Sequence, residues 1–182
     1  MEITNIKFHV KIDSDLCEEY FKKFNQYKEY ISKCNSSFIV IRFPASPVYT
    51  CYFSGCINVT GVRCLSDIKD KVLQLSCNLN IDYHQLSSPK IDNITARYPK
   101  TTSTKLHILT GICKNWRKWF ISIKHNRSIF PGLFLKTESG TLIWFNSGSI
   151  ISVGSKSEID LIHLSQLISL LKKEYEQYQY PL

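Results

Sequence analysis

Apolar and polar positions follow the same succession twice along the chain. Ile6, Phe8, Val10 and Ile12 alternate with Lys7, His9 and Lys11, the period of a strand buried on one face. Behind Asp15, with Glu18 three residues on as a capping box, Leu16, Tyr20, Phe24, Tyr27 and Ile31 recur at helical spacing and predict one helix. Three short apolar runs follow, near 38–43, 48–53 and 56–60. Their hairpin-length connections, 44–47 and Ser54-Gly55, predict antiparallel pairing. Leu65, Ile68, Val72 and Leu75 mark a closing helix. In the second half a helix is predicted near 106–112. The closing helix there is capped by Ser155 with Glu158 and carries Ile159, Ile162, Leu164, Leu167, Ile168 and Leu171.

Residue identities repeat with the pattern. Ile3-Thr4-Asn5-Ile6 returns as Ile91-Asp92-Asn93-Ile94, Tyr52-Phe53-Ser54-Gly55 as Phe145-Asn146-Ser147-Gly148, and Gly61 as Gly154. Two copies, 1–88 and 89–182, therefore fill the chain as one intertwined domain. The class is α+β, with antiparallel strands and the helices on one face of the sheet. If Ile57 and Val59 face the helices, then Tyr52, Ser54, Cys56, Asn58 and Thr60 face away. The same parity turns Phe145, Ser147, Ser149, Ile151 and Val153 outward in the second copy. A face with those apolar residues is suited to a flat partner rather than to bare solvent.

Charge narrows the partner. The 182 residues carry 23 Lys+Arg against 15 Asp+Glu, and the net +8 divides into +1 over residues 1–88 and +7 over 89–182. That asymmetry favours a polyanion, nucleic acid before membrane. The start of the chain has neither the basic region nor the apolar run of a secretion signal, so an intracellular protein is expected. Seven irregularly spaced cysteines without a Cys-x-x-Cys read as reduced structural thiols, with no metal or other cofactor implied. Cys113 with His107, or Cys64 with a distant His, are the nucleophile and base that an enzyme would have. Neither sits in a local catalytic signature, so no enzyme is expected. The segment Lys114-Asn115-Trp116-Arg117-Lys118-Trp119-Phe120 reads either as helix core rimmed by lysines or as a stacking surface.

Phe130-Pro131-Gly132-Leu133, Phe145-Asn146-Ser147-Gly148 and Gly154-Ser155-Lys156 resemble the second repeat of the TATA-box-binding protein family. Ile39-Val40-Ile41-Arg42, Tyr52-Phe53-Ser54-Gly55 and Thr60-Gly61-Val62-Arg63 resemble its first, and the likeness runs in order through both copies. The resemblance implies a pseudo-twofold saddle, a curved ten-stranded antiparallel sheet with helices on the convex face, whose concave face enters the DNA minor groove and kinks it with aromatic wedges. It makes Phe130, beside Pro131, and Phe145 one wedge pair. Asn5 and Asn93 become the central base-edge contacts, and Arg42, Arg63, Lys136 and Lys156 the phosphate contacts. Tyr52 stands at the second first-repeat wedge, and Ser36 or Phe38 at the first. Asn58 and Thr60 in one copy, with Ile143, Ile151 and Val153 in the other, form the floor against the bases.

Departures from the family pattern concentrate in the first copy. Lys7 and Asn58 in the first copy, and Thr95 in the second, stand where valines are expected; the first floor is polar, and a weaker kink is expected at that end. Asn126, Arg127, Ser128 and Ile129 occupy the stretch that meets transcription factor IIB in the family, with base where acid is expected. The implied function is a general initiation factor that binds and bends A/T-rich promoter DNA. The alternative is a protein-docking module or heterodimer subunit of a transcription complex with weak DNA binding of its own. Implied partners are double-stranded DNA, factors of the IIB or IIA type or diverged equivalents, and RNA polymerase machinery, with no membrane. The implied location is the nucleus, or a cytoplasmic replication site if the chain is viral.

Overall fold

The computed structural model describes residues 1–179. Its chain divides into two compact units, Asn5–Asp92 and, separately, Met1–Thr4 with the chain from Asn93 onward. The division falls just past the expected 88/89 boundary, and residues 180–182 of the expected second repeat lie outside the described residues.

In the first unit, β1 (Glu2–Lys11) buries Ile6, Phe8 and Val10 and leaves Lys7 and His9 half-buried, as the alternation requires. The helix α1 (Cys17–Phe24) is shorter than the sequence pattern suggests. Tyr27 leaves the helical region at φ −92°, ψ 27°, within a 3-10 stretch over Asn25–Tyr30. Phe43 gathers Tyr27 and Tyr30 at ring distances of 5.5 and 4.8 Å, and Ile31 then opens β2 (Ile31–Cys34), opposite Ile41. Tertiary stacking and strand pairing thus override the helical spacing after Phe24. Next come β3 (Phe38–Arg42), β4 (Val48–Tyr52) and β5 (Cys56–Val62). The closing α2 (Ile68–Leu79) buries Ile68, Val72, Leu75 and Leu79.

The second unit repeats the order with β6 (Lys90–Tyr98), α3 (Leu106–Asn115), β7 (Ser122–Lys124), β8 (Gly132–Thr137), β9 (Gly140–Phe145), β10 (Ile150–Ser155) and α4 (Glu158–Gln179). The cap of α4 lies two residues later than the predicted Ser155 with Glu158. Ser157 Oγ accepts from the Asp160 N–H, and the Asp160 carboxylate accepts from the N–H groups of Lys156 and Ser157. Burial opposes ionisation of Asp160, but these donors outweigh it and hold its carboxyl below the ordinary value. Ser155 is a buried residue of β10 instead, donating to the Ser139 carbonyl. The buried stripe of α4 is Leu161, Leu164, Leu167, Ile168, Leu171 and Tyr175. Ile159 and Ile162, expected in it, are exposed, because each residue turns the helix by about 100° and both fall off the stripe.

The fold is α+β, with a ten-stranded sheet in the order β2-β3-β4-β5-β1-β6-β10-β9-β8-β7. Within each unit the paired strands run antiparallel. The edge strands β2 and β7 are the two that hydrophobic alternation did not locate, being four and three residues long. The turn between β9 and β10 depends on Gly148, at φ +81°, where a Cβ would lie 2.3 Å from the Thr101 carbonyl oxygen. Gly148→Ala is expected to cost about 2–3 kcal/mol, from backbone strain and that clash together. An unchanged urea midpoint would contradict this.

Candidate nucleic-acid interface

Strand alternation gives each unit one buried sheet face and one that is half-exposed. In the first unit the half-exposed face carries Val40, Thr50, Asn58 and His9 in one line of cross-strand partners, and Arg42, Val48, Thr60 and Lys7 in the next. In the second unit the corresponding lines are Lys124, Phe134, Ile143, Ile151 and Arg97, then Ser122, Lys136, Thr141 and Val153. Thr50, Asn58 and Thr60 therefore stand where Ile143, Ile151 and Val153 stand in the other copy. At these three positions the first floor is polar and the second apolar, whereas Val48 and Thr141 reverse that order.

Each face has a bulge beside its asparagine. Ile6 pairs Val62 and Lys7 pairs Thr60, so Gly61, at φ +106°, is the extra residue and its N–H is left out of the ladder. The Asn5 side-chain oxygen accepts that N–H at 2.8 Å. In the second unit the Asn93 oxygen accepts from the N–H of Gly154, at φ +88° in the matching bulge. A bound N–H fixes which end of each amide is oxygen, so both asparagines turn their NH2 groups to other uses. Asn93 Nδ2 donates one hydrogen to Thr95 Oγ1, at 3.3 Å between nitrogen and oxygen.

Aromatic pairs stand at corresponding places. The Phe130 and Phe145 rings are 5.8 Å apart and inclined at 53°, and Phe134 closes on Phe130 at 4.8 Å. Gly132, opposite Phe145, makes room for Phe130: a Cβ there would lie 2.8 Å from the Phe130 ring and 3.0 Å from Ile143. In the first unit Phe38 takes the register of Gly132, opposite Tyr52, and the two rings are 5.7 Å apart at 53°. Of the two candidates for this place, Phe38 supplies the ring, whereas Ser36 is an exposed residue before β3. The same pair geometry is reached from a different strand position, which is why counting back from Arg42 left the choice open. Ile143 is only 8% exposed, so among the expected floor residues it offers a ligand the least surface.

Arg42, Arg63, Lys136 and Lys156 are exposed, and Arg42 Nε donates to Ser32 Oγ. Phe134, Arg97, Lys124, His9 and Asp92 were missed. Parity from Lys136 would have found Phe134, and the Asn5/Asn93 spacing would have matched Arg97 to His9. Pro131 is exposed beside Phe130, and residues 126–129 form an exposed turn whose Asn126 carbonyl accepts from the N–H groups of Ile129 and Phe130. Burial, then Arg127 and His107, lower the pKa of His125 at the root of this turn.

The basic-aromatic segment is not helix core as a whole. Phe120 is buried and Trp116 half-buried, but Trp119 is 53% exposed beside a cleft of about 500 Å³ that Ile121, His163 and Leu170 also line. All seven thiols are free. Cys17, Cys51 and Cys113 are buried, whereas Cys34, Cys64 and Cys77 are exposed and do not serve a core. Burial pushes the Cys113 thiol up to about 12, the opposite of what activation as a nucleophile requires. Among the described residues no helix is long and apolar enough to cross a membrane.

No family model and no curated protein sequence matches the chain. Among solved structures, the fold is similar to that of Methanococcus jannaschii TBP. The TM-score is 0.66 at 18% sequence identity, over 94% of this chain and 98% of that one.

Proposed function

We propose that this chain binds the minor groove of A/T-rich double-stranded DNA through its half-exposed sheet faces, kinks it with paired rings, and serves as a transcription initiation factor. The observation that carries the reading is the coincidence, in both copies, of an aromatic pair with an asparagine whose oxygen is taken by a bulge N–H. An amide NH2 is the donor that A N3 and T O2 can accept, and a ring can replace stacking lost at a kinked step. The likeness to a TBP over nearly the whole chain supports it. Gel-shift titration over random duplexes, repeated across salt concentrations, tests it. Enrichment of A/T-rich duplexes is expected, and equal affinity for A/T-rich and G/C-rich duplexes contradicts base reading.

Asn93→Asp separates the structural use of the amide from its use toward DNA. The carboxylate still accepts the Gly154 N–H and, with the Thr95 hydroxyl turned to donate, keeps that contact too, but it has no NH2 to offer DNA and brings negative charge. Thermal unfolding is therefore expected to be unchanged while affinity for A/T-rich duplex falls about tenfold or more, the worth of a base contact. Equal affinity in the two proteins would contradict the assignment.

The polar first floor favours a second reading, a heterodimer subunit whose partner supplies contacts that this copy lacks. In that case the chain alone would bind weakly and a transcription factor would raise its affinity. Arg127 also sets a partner rule: a IIB-type factor that meets acid in the family is expected to bind this turn weakly, and Arg127→Glu to strengthen it several-fold by removing like-charge repulsion. A pull-down in which Arg127→Glu weakens the factor's binding contradicts that rule.

A further inference from the structure

Asp92 is an acid on a face whose other polar residues are bases, amides and hydroxyls. Its Oδ1 meets His9 Nδ1 at 2.8 Å, its Oδ2 lies 4.0 Å from Lys7 Nζ, and its side chain is 30% exposed. His9 stands opposite Asn58, and Lys7 opposite Thr60, so the carboxylate belongs to the polar floor. The repeat places Thr4 at the position of Asp92, Thr95 at that of Lys7 and Arg97 at that of His9. In the second unit Thr4 Oγ1 simply donates to the Thr95 carbonyl. The carboxylate is thus specific to one copy.

A carboxylate only accepts hydrogen bonds. Toward A·T pairs, whose minor-groove edge shows acceptors alone, it is repulsive. The one donor that base pairs present in that groove is the guanine N2 amino group. The adjacent Lys7 ammonium and the His9 ring offset the cost of bringing an anion near phosphates, and with Oδ1 held by His9, Oδ2 remains to accept.

We propose that Asp92, held by His9 and Lys7, is a subsite for the 2-amino group of a guanine, so that this protein selects a G·C pair at one place within an otherwise A/T-rich site. The inference rests on the minor-groove reading above and names the base that its polar floor takes. Asn58 and Thr60, opposite His9 and Lys7, present no bulky side chain to exclude that amino group.

Inosine tests it, because an I·C pair is a G·C pair without the 2-amino group. One G·C pair is stepped through an A/T-rich duplex, each duplex is remade with I·C, and affinities are measured by fluorescence anisotropy. For the unmodified protein, G·C is expected to bind about tenfold more tightly than I·C at one or two adjacent positions, the worth of a hydrogen bond to a charged group. Asp92→Ala, and Asp92→Thr after the residue at position 4, are expected to bring the two duplexes level while the A/T-only duplex is bound more tightly. The guanine–inosine comparison on the unmodified protein decides even if neither variant folds. Salt-dependent binding with I·C equal to or better than G·C at every position overturns the subsite and leaves the minor-groove reading standing. A G·C preference that Asp92→Ala retains also overturns it. Binding to none of the duplexes overturns both.

Discussion

Phe145→Ala is expected to remove most of the bend that the protein puts into an A/T-rich duplex, and Phe130→Ala to do the same. Parting two base pairs costs a few kcal/mol per step and is offset only if a ring stacks in the gap and the bent duplex gains contacts elsewhere. Phe130 and Phe145 act as a unit, 5.8 Å apart, with Phe134 4.8 Å from Phe130 and Gly132 leaving the room that Phe130 fills. Truncating either ring leaves the other without its inclined neighbour. Phe38→Ala is expected to reduce the bend less. Its pair with Tyr52 has the same ring geometry, but Val40 takes the place of Phe134, and Asn58 and Thr60 replace an apolar floor. Fluorescence transfer between duplex ends measures the angles. Equal losses from Phe38→Ala and Phe145→Ala would show that the floor does not govern the kink.

Raising salt from 50 to 200 mM is expected to weaken DNA binding about 1,000-fold, the loss that goes with about six neutralised phosphates. Arg42, Arg63, Lys136 and Lys156 are exposed, and Arg97 and Lys124 stand in cross-strand register with the ring-bearing floor. Each releases counterions on reaching a phosphate, so the logarithm of affinity should fall against the logarithm of salt with a slope of about −5. Lys136→Ala should lower affinity alike on all sequences and reduce that slope by about 1. An affinity indifferent to salt would remove the phosphate contacts from the account.

Much of this was legible in the sequence because strands with one buried face write their register as alternation. Ile57 and Val59 turned inward, and Asn58 and Thr60 outward, as their parity requires. The repeat spacing likewise tied Asn5 to Asn93 before any strand was placed. What failed depended on contacts between distant residues. The helix after Asp15 keeps its spacing to Ile31 on paper, yet the chain leaves the axis at Tyr27 to stack on Phe43. Ser155 and Ser157 both fit a cap motif, and only the pairing of β10 decides between them. Phe38 replaces a ring expected nearer Ser36, because a pair of rings can be built from two registers when one copy has a glycine opposite and the other does not. The clustering of Asp92 with His9 and Lys7 joins residues more than eighty positions apart and had no local signature.

The central claim is that the half-exposed faces read and bend the minor groove. An A/T-rich duplex and its counterpart with every A·T pair replaced by I·C present the same minor-groove acceptors but different major-groove edges. Fluorescence transfer between the ends of each, titrated with the protein at low salt, is the most direct test. The account predicts that both duplexes are bound with similar affinity and bent by similar angles. Bending of the A·T duplex alone, or binding of both without any bend, would contradict it.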